Sequence, residues 1–187
     1  MNNLLAFLNS IIPLSVELQQ HLSIILKQKE YKKKSLLLQA GQISKNIFFI
    51  EKGLTRCFYL KETTEVCSWF MKEGDVIISV ESFFKQLPSY ESVQALEDTL
   101  VYYIDYEELQ YIYRNFLEFN FIARVLTEKY YTLAEQRLFS LRMQKASERY
   151  QHILKNFPEL IQRVPSTYLA SYLGITLETL SRIKAKL

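Results

Sequence analysis

The sequence predicts an α+β fold: a small antiparallel β unit, then a long helix, then a terminal helical hairpin. Three observations carry that expectation. Short apolar runs are broken by glycines and polar turns between residues 31 and 105, helical periodicity takes over near Tyr106, and a Leu-Gly-Ile corner occupies residues 173–175. Strands repeat with a period of two, whereas helices place apolar residues every three to four positions. With 187 residues, 49% hydrophobic and 23% charged, the chain has room for one domain with an appendage or for two compact units. This composition excludes a disordered chain. No apolar run approaches the roughly 20 residues that span a bilayer. The N-terminal MNNLLAFLNSIIPLS lacks both a basic start and a small-residue cleavage site, so neither a membrane partner nor a signal peptide is expected. A cytoplasmic protein is expected.

Leu14 to Lys27 reads as a helix. After the lysine-rich YKKKS, the runs LLLQAG, NIFFIEKG, LTRCFYLK, EVCSWFMKEG and DTLVYYID read as short strands. Gly41, Gly53, Lys61–Thr64, Gly74 and Glu97–Asp98 supply the turns, a spacing that predicts a sandwich or barrel. From Asn115 to about Leu138 one helix of roughly 36 Å is expected. Phe116, Phe119, Ala123, Leu126, Tyr130 and Leu133 recur at 3-4 spacing and form a seam. The small β unit is too short to cover that seam, which favours a second copy as its cover. A further helix is expected at Ala146 to Asn156, with Pro158 and Pro165 marking breaks before the terminal pair.

The terminal segment VPSTYLASYLGITLETLSRIKAKL reads as two short helices joined at Gly174. Glycine adopts the left-handed, helix-ending conformation without steric cost. Leu169, Ala170 and Leu173 share one face of the first helix, and Leu180, Ile183 and Leu187 share the facing side of the second. Thr176 is placed to cap the second helix, and Glu178 suits its positive end. The opposite face presents Leu177, Glu178, Ser181, Arg182 and Ala185. This is a helix-turn-helix arrangement, whose second helix fits a DNA major groove. Arginine donates twice to guanine, and a carboxylate accepts from cytosine. Ser166, Thr176 and Thr179 are candidate phosphate donors, and Lys184 and Lys186 add positive charge. The alternative is a surface Glu178–Arg182 ion pair on an ordinary helical hairpin.

Charge favours the DNA reading. Residues 137–187 hold nine basic and three acidic residues, a net of +6, while the rest hold fourteen and seventeen, a net of −3. The basic excess therefore sits on the segment that carries the hairpin.

This order of elements resembles the cyclic-AMP receptor protein and its relatives, the Crp/Fnr regulators. LLLQAGQISKNIFFIEKGLTRCFYL looks like that family's first barrel strands, FMKEGDVI like the turn leading to its nucleotide cassette, and LASYLGITLETLSRIKAKL like its DNA-reading end. The resemblance implies a double-stranded β-helix (a cyclic-nucleotide-binding-like jelly-roll barrel) in a sensor domain over residues 1–114. A dimerisation helix over 115–138 follows, then a winged-helix-like helix-turn-helix domain over 139–187. It also implies that Glu178 and Arg182 read bases and that Thr179 contacts phosphate. Leu177 stands where the family often has arginine. The printed sequence stops at Leu187, so most of the wing is expected to be missing.

The cassette departs from the family pattern. A Gly-Glu pair followed about ten residues later by Arg-Ser holds a cyclic nucleotide in the relatives. Here Ile78-Ser79 and Tyr90-Glu91 or Glu91-Ser92 occupy those places, with no arginine between Arg56 and Arg114. A carboxylate facing a buried phosphate costs several kcal/mol, so tight cyclic-AMP binding is not expected. Trp69, Phe70, Ile78, Ser79, Phe83, Phe84, Tyr90 and Glu91 are candidate liners of an effector pocket, plain core packing being the alternative. Two cysteines, Cys57 and Cys67, cannot supply a four-thiolate cluster in one subunit, and His21 and His152 fall in predicted helices outside the barrel. No metal and no cofactor is expected.

An enzyme is not expected either. Residues 31–105 contain no histidine for a metal-oxygenase site, and no nucleophile triad, P-loop or dinucleotide glycine pattern appears. The sequence thus predicts a homodimeric, sequence-specific transcription regulator with double-stranded DNA as partner. RNA polymerase is a further partner, and its effector is an unidentified small molecule or none. The alternative is a module of the same fold that binds another protein or a small molecule instead of DNA.

Overall fold

The computed structural model describes residues 2–186; Leu187, expected on the buried face of the last helix, lies outside the described residues. Helices α1 (Asn2–Ile11) and α2 (Val16–Ile25) precede strands β1 (Lys27–Tyr31), β2 (Leu36–Leu38), β3 (Asn46–Lys52), β4 (Thr55–Lys61), β5 (Thr64–Met71) and β6 (Val76–Ile77). Helix α3 (Val80–Lys85), strands β7 (Glu91–Ala95) and β8 (Thr99–Asp105), and helix α4 (Tyr106–Asn115) follow. The chain ends with α5 (Leu117–Met143), α6 (Ala146–Asn156), α7 (Pro158–Arg163), α8 (Ser166–Leu173) and α9 (Leu177–Lys184).

One four-stranded sheet runs β1-β8-β3-β6 and the other β2-β7-β4-β5. Strands distant in sequence lie side by side, as in β1 against β8 with Lys27 opposite Tyr103 and β2 against β7 with Leu36 opposite Gln94. This crossing of antiparallel strands gives the jelly-roll pattern anticipated from the turn spacing. The α+β class and jelly-roll expectation therefore hold. The five runs read as strands fall on β2, β3, β4, β5 and β8, and the long helix runs five residues beyond its expected end, to Met143.

Contacts divide the chain into two compact units, 1–57 with 70–128, and 58–69 with 129–187. In the first, β3 is buried on both faces. Phe48 packs beside Tyr103 (ring centroids 5.7 Å apart), its partner across the sheet. Phe49 turns the other way and joins Leu4, Leu8, Leu18, Leu22, Ile104, Leu109, Ile112, Phe119 and Ile122 in one apolar cluster beneath the helices. Ser15 fixes the start of α2, since its Oγ accepts from the Leu18 N–H (3.2 Å) and donates to Glu118 (2.5 Å). Gly53 has φ +109, and a Cβ there would lie 2.5 Å from Thr99 Oγ1 and 2.7 Å from Thr99 Cα, so only glycine fits this turn. Among the described residues, no helix is long and apolar enough to cross a membrane.

The seam expected on the long helix divides. Phe116 caps α4, Phe119 is buried, and Leu126 is half-buried, all three packed in or against the helical cluster of their own unit. Ala123, Tyr130 and Leu133 are half-buried. The exposed apolar side chains of α5 are Leu117, Phe121, Tyr131, Leu138, Phe139, Leu141 and Met143, and the first four, at 3.6 residues per turn, occupy the side opposite the expected seam. Helical spacing identifies apolar stripes, but the first turns of α5 use theirs to roof the β unit.

Candidate nucleic-acid interface

In the second unit, α8 and α9 meet at Gly174, which has φ +68. Its N–H donates to the Ser171 carbonyl (3.0 Å) and the Ile175 N–H to the Ala170 carbonyl (3.1 Å), a double closure that satisfies the last carbonyls of α8. Thr176 then caps α9, its Oγ1 accepting from the Thr179 N–H (3.2 Å). Leu169, Ala170, Leu173 and Leu180 fill the space between the two helices, each exposed by 2% or less.

The outward face of α9 carries the residues singled out in the sequence. Leu177, Glu178, Ser181, Arg182, Lys184 and Lys186 are exposed, as are Ser166 and Thr176, whereas Thr179 is half-buried. Arg182 Nη2 donates to Thr179 Oγ1 (3.1 Å) instead of pairing with Glu178 one turn away. The Glu178 carboxyl is held below its ordinary range by a backbone N–H and the Thr176 hydroxyl, with the Arg182 charge adding to the effect. Lys184 Nζ donates to Ser166 Oγ (3.2 Å) and so ties the end of α9 to the start of α8. Eight of the nine candidates are therefore exposed, with Thr179 half-buried, and two hydrogen bonds, Arg182 to Thr179 and Lys184 to Ser166, link four of them.

Sequence reasoning missed what holds α8 in place. Arg137 of α5 lies flat on Tyr172, its guanidinium carbon 3.5 Å from the ring centroid. Its Nε donates to the Ser68 carbonyl of β5 (3.1 Å), and its Nη2 donates to the Tyr172 carbonyl. Burial pulls the pKa of this guanidinium down. Arg149 of α6 donates through Nε to the Leu173 carbonyl (2.9 Å). Two cations thus meet the negative end of α8. Ser171 Oγ accepts from the Cys67 N–H (3.0 Å) and donates to the Glu65 carbonyl (3.2 Å), which joins α8 to the tip of the β4–β5 hairpin. These contacts bridge 24 to 106 residues and leave no periodic trace in the chain.

In the first unit, the cassette residues are spent on one another. Ser79 Oγ lies 2.9 Å from Ser89 Oγ, and Ser89 Oγ donates to the Glu91 carbonyl (2.8 Å) and accepts from the Glu91 N–H (3.1 Å). Burial pushes the Glu91 carboxyl above its ordinary range, opposed by a hydrogen bond from Ser79. Ser92 Oγ accepts from the Ala40 N–H (3.0 Å). Phe83 is wholly buried in the apolar cluster, Phe70 and Ser79 are buried, and Ile78 and Trp69 are half-buried. Phe84 and Tyr90 face outward, 48% and 61% exposed, so the eight candidate pocket residues do not line one enclosed space. The nearest arginine in sequence, Arg56, is 1% exposed and donates through Nε and Nη2 to Gln94 (2.9 and 2.7 Å). Among the described residues, no group of three His, Cys, Asp or Glu side chains is placed to hold a metal.

Residues 28–116 match the cyclic nucleotide-binding domain family. No curated protein matches the sequence. Among solved structures, FixK2 from Bradyrhizobium japonicum is 19% identical with a TM-score of 0.72 over 87% of this chain and 84% of that one. A protein from Eubacterium rectale assigned to the Crp/Fnr transcriptional regulators is 14% identical with a TM-score of 0.72 over 93% and 85%. CLP of Xanthomonas campestris, a global regulator responsive to cyclic di-GMP, is 16% identical with a TM-score of 0.68 over 92% and 91%. Residues 28–116 therefore resemble the cyclic nucleotide-binding domain family, and the chain shares the fold of these Crp/Fnr-type structures.

Proposed function

We propose that this chain is a sequence-specific, DNA-binding transcription regulator that acts as a homodimer. The observation that carries the proposal is the α8–Gly174–α9 hairpin, with Glu178, Ser181 and Arg182 exposed on α9 within a segment of net charge +6. A helix so mounted fits a major groove, and two copies read half-sites roughly 34 Å apart. The domain succession expected from the sequence, with α5 as the dimerisation element, is part of this reading. Leu117, Phe121, Tyr131 and Leu138 give α5 an uncovered apolar stripe on which a second copy can pair. Binding of the full chain to duplex DNA, followed by fluorescence anisotropy at rising salt, tests the proposal. Affinity should fall steeply with salt, and sedimentation should give twice the 22.2 kDa monomer mass. No binding in dilute buffer refutes it.

Cyclic AMP is not the effector in this reading. Tyr90-Glu91 or Glu91-Ser92 stands where the relatives place the arginine and serine that hold the phosphate, so neither alternative supplies a cation there, and burial raises the Glu91 carboxyl. Calorimetric titration should show no cyclic-AMP or cyclic-GMP binding at micromolar concentration; a micromolar or tighter constant overturns this part.

A further inference from the structure

Leu177 is the first residue of α9 and is 39% exposed, next to the charged Glu178 and one turn from the short Ser181. Leu177 is not among the buried residues of the hairpin. The seam between α8 and α9 is already filled by Leu169, Ala170, Leu173 and Leu180, all buried. On a helix that enters a major groove, N-terminal residues meet base edges. Leucine has no donor or acceptor, so against a polar base edge it strips water without replacing the lost hydrogen bonds. The groove offers one apolar group, the C5 methyl of thymine. Glu178 adjoins Leu177 in the chain and Arg182 lies one turn beyond Glu178, and the two carry the complementary chemistry, an acceptor suited to cytosine and a donor fork suited to guanine. We propose that Leu177 selects a thymine in each half-site by packing against its C5 methyl. This rests on the reading of α9 as the recognition helix.

The test begins with selection of a random duplex library on the full-length chain. Each thymine of the enriched site is then replaced in turn by deoxyuridine, which removes the methyl alone. One replacement per half-site should weaken binding about four-fold, the worth of one buried methyl group. Leu177→Ala, folded by circular dichroism, should bind the thymine and uracil duplexes equally at that position. A flat uracil scan with the unaltered protein overturns the assignment while DNA binding stands. So does a Leu177→Ala protein that keeps the four-fold preference. Failure of the library to enrich is a different result, because it removes the DNA-binding reading itself.

Discussion

At the α8–α9 hairpin, Glu178, Ser181 and Arg182 stand exposed, while in the cassette Ser79, Ser89 and Ser92 are buried and bonded to one another or to the backbone. Both regions are rich in polar side chains, yet they differ in what those groups are left to do. A hydroxyl already engaged inside the fold must lose its partner before it takes a ligand, at a cost of about 1–3 kcal/mol for each group left unsatisfied. Exposed groups on a capped helix carry no such cost. The contrast supports the recognition role proposed for α9 and a structural task for the cassette of this chain.

Four substitutions break or sharpen that contrast. Leu180→Ala removes a side chain that is 1% exposed between α8 and α9. It should destabilise the second unit by about 2–5 kcal/mol in urea unfolding and abolish DNA binding with it. Arg182→Ala should leave the melting temperature unchanged while weakening the selected site about 10-fold to 100-fold and relaxing one base position. Equal operator affinity would show that Arg182 reads no base. Ser79→Ala should do the opposite. It leaves Ser89 and Glu91 short of a partner, costs about 1–2 kcal/mol of stability, and spares DNA affinity. If stability is untouched, the cassette is not held by these bonds.

Glu91→Gln gives the smallest effect and an informative sign. Burial raises the Glu91 carboxyl, so its favourable contribution to folding is complete below the ordinary glutamate value and is lost as pH climbs through the raised one. The amide imitates the protonated form. It should raise stability at neutral pH by less than about 1 kcal/mol and flatten the pH dependence of melting over that window. A lower melting temperature would mean that the charged form is the one the cassette favours.

The hairpin was legible in the sequence because each of its signals is local: a helix-ending glycine, a capping threonine, and apolar residues at helical spacing. The strands that were missed have physical reasons to be silent. β1 is KQKEY, whose first four residues are exposed, so it shows no apolar alternation, and its first residue, Lys27, falls within the expected helix. β6 has two residues, too few to show alternation, and the apolar start of the chain gave no cap to mark α1. Arg137, Tyr172 and Ser68 were invisible as a set, since only the fold brings them together. The seam of α5 shows the same limit differently. Periodicity found Phe119 and Leu126, but it does not distinguish a stripe that roofs its own β unit from one that awaits another molecule.

The β4–β5 hairpin has only its base, residues 55–57 and 70–71, in one unit, while residues 58–69, most of both strands, belong to the other. No single cut therefore yields the C-terminal half intact. A fragment beginning near residue 129 would leave Ser171 and Arg137 without the Glu65, Cys67 and Ser68 backbone groups they hold. Grafting these helices onto another scaffold would require carrying residues 58–69 along with them.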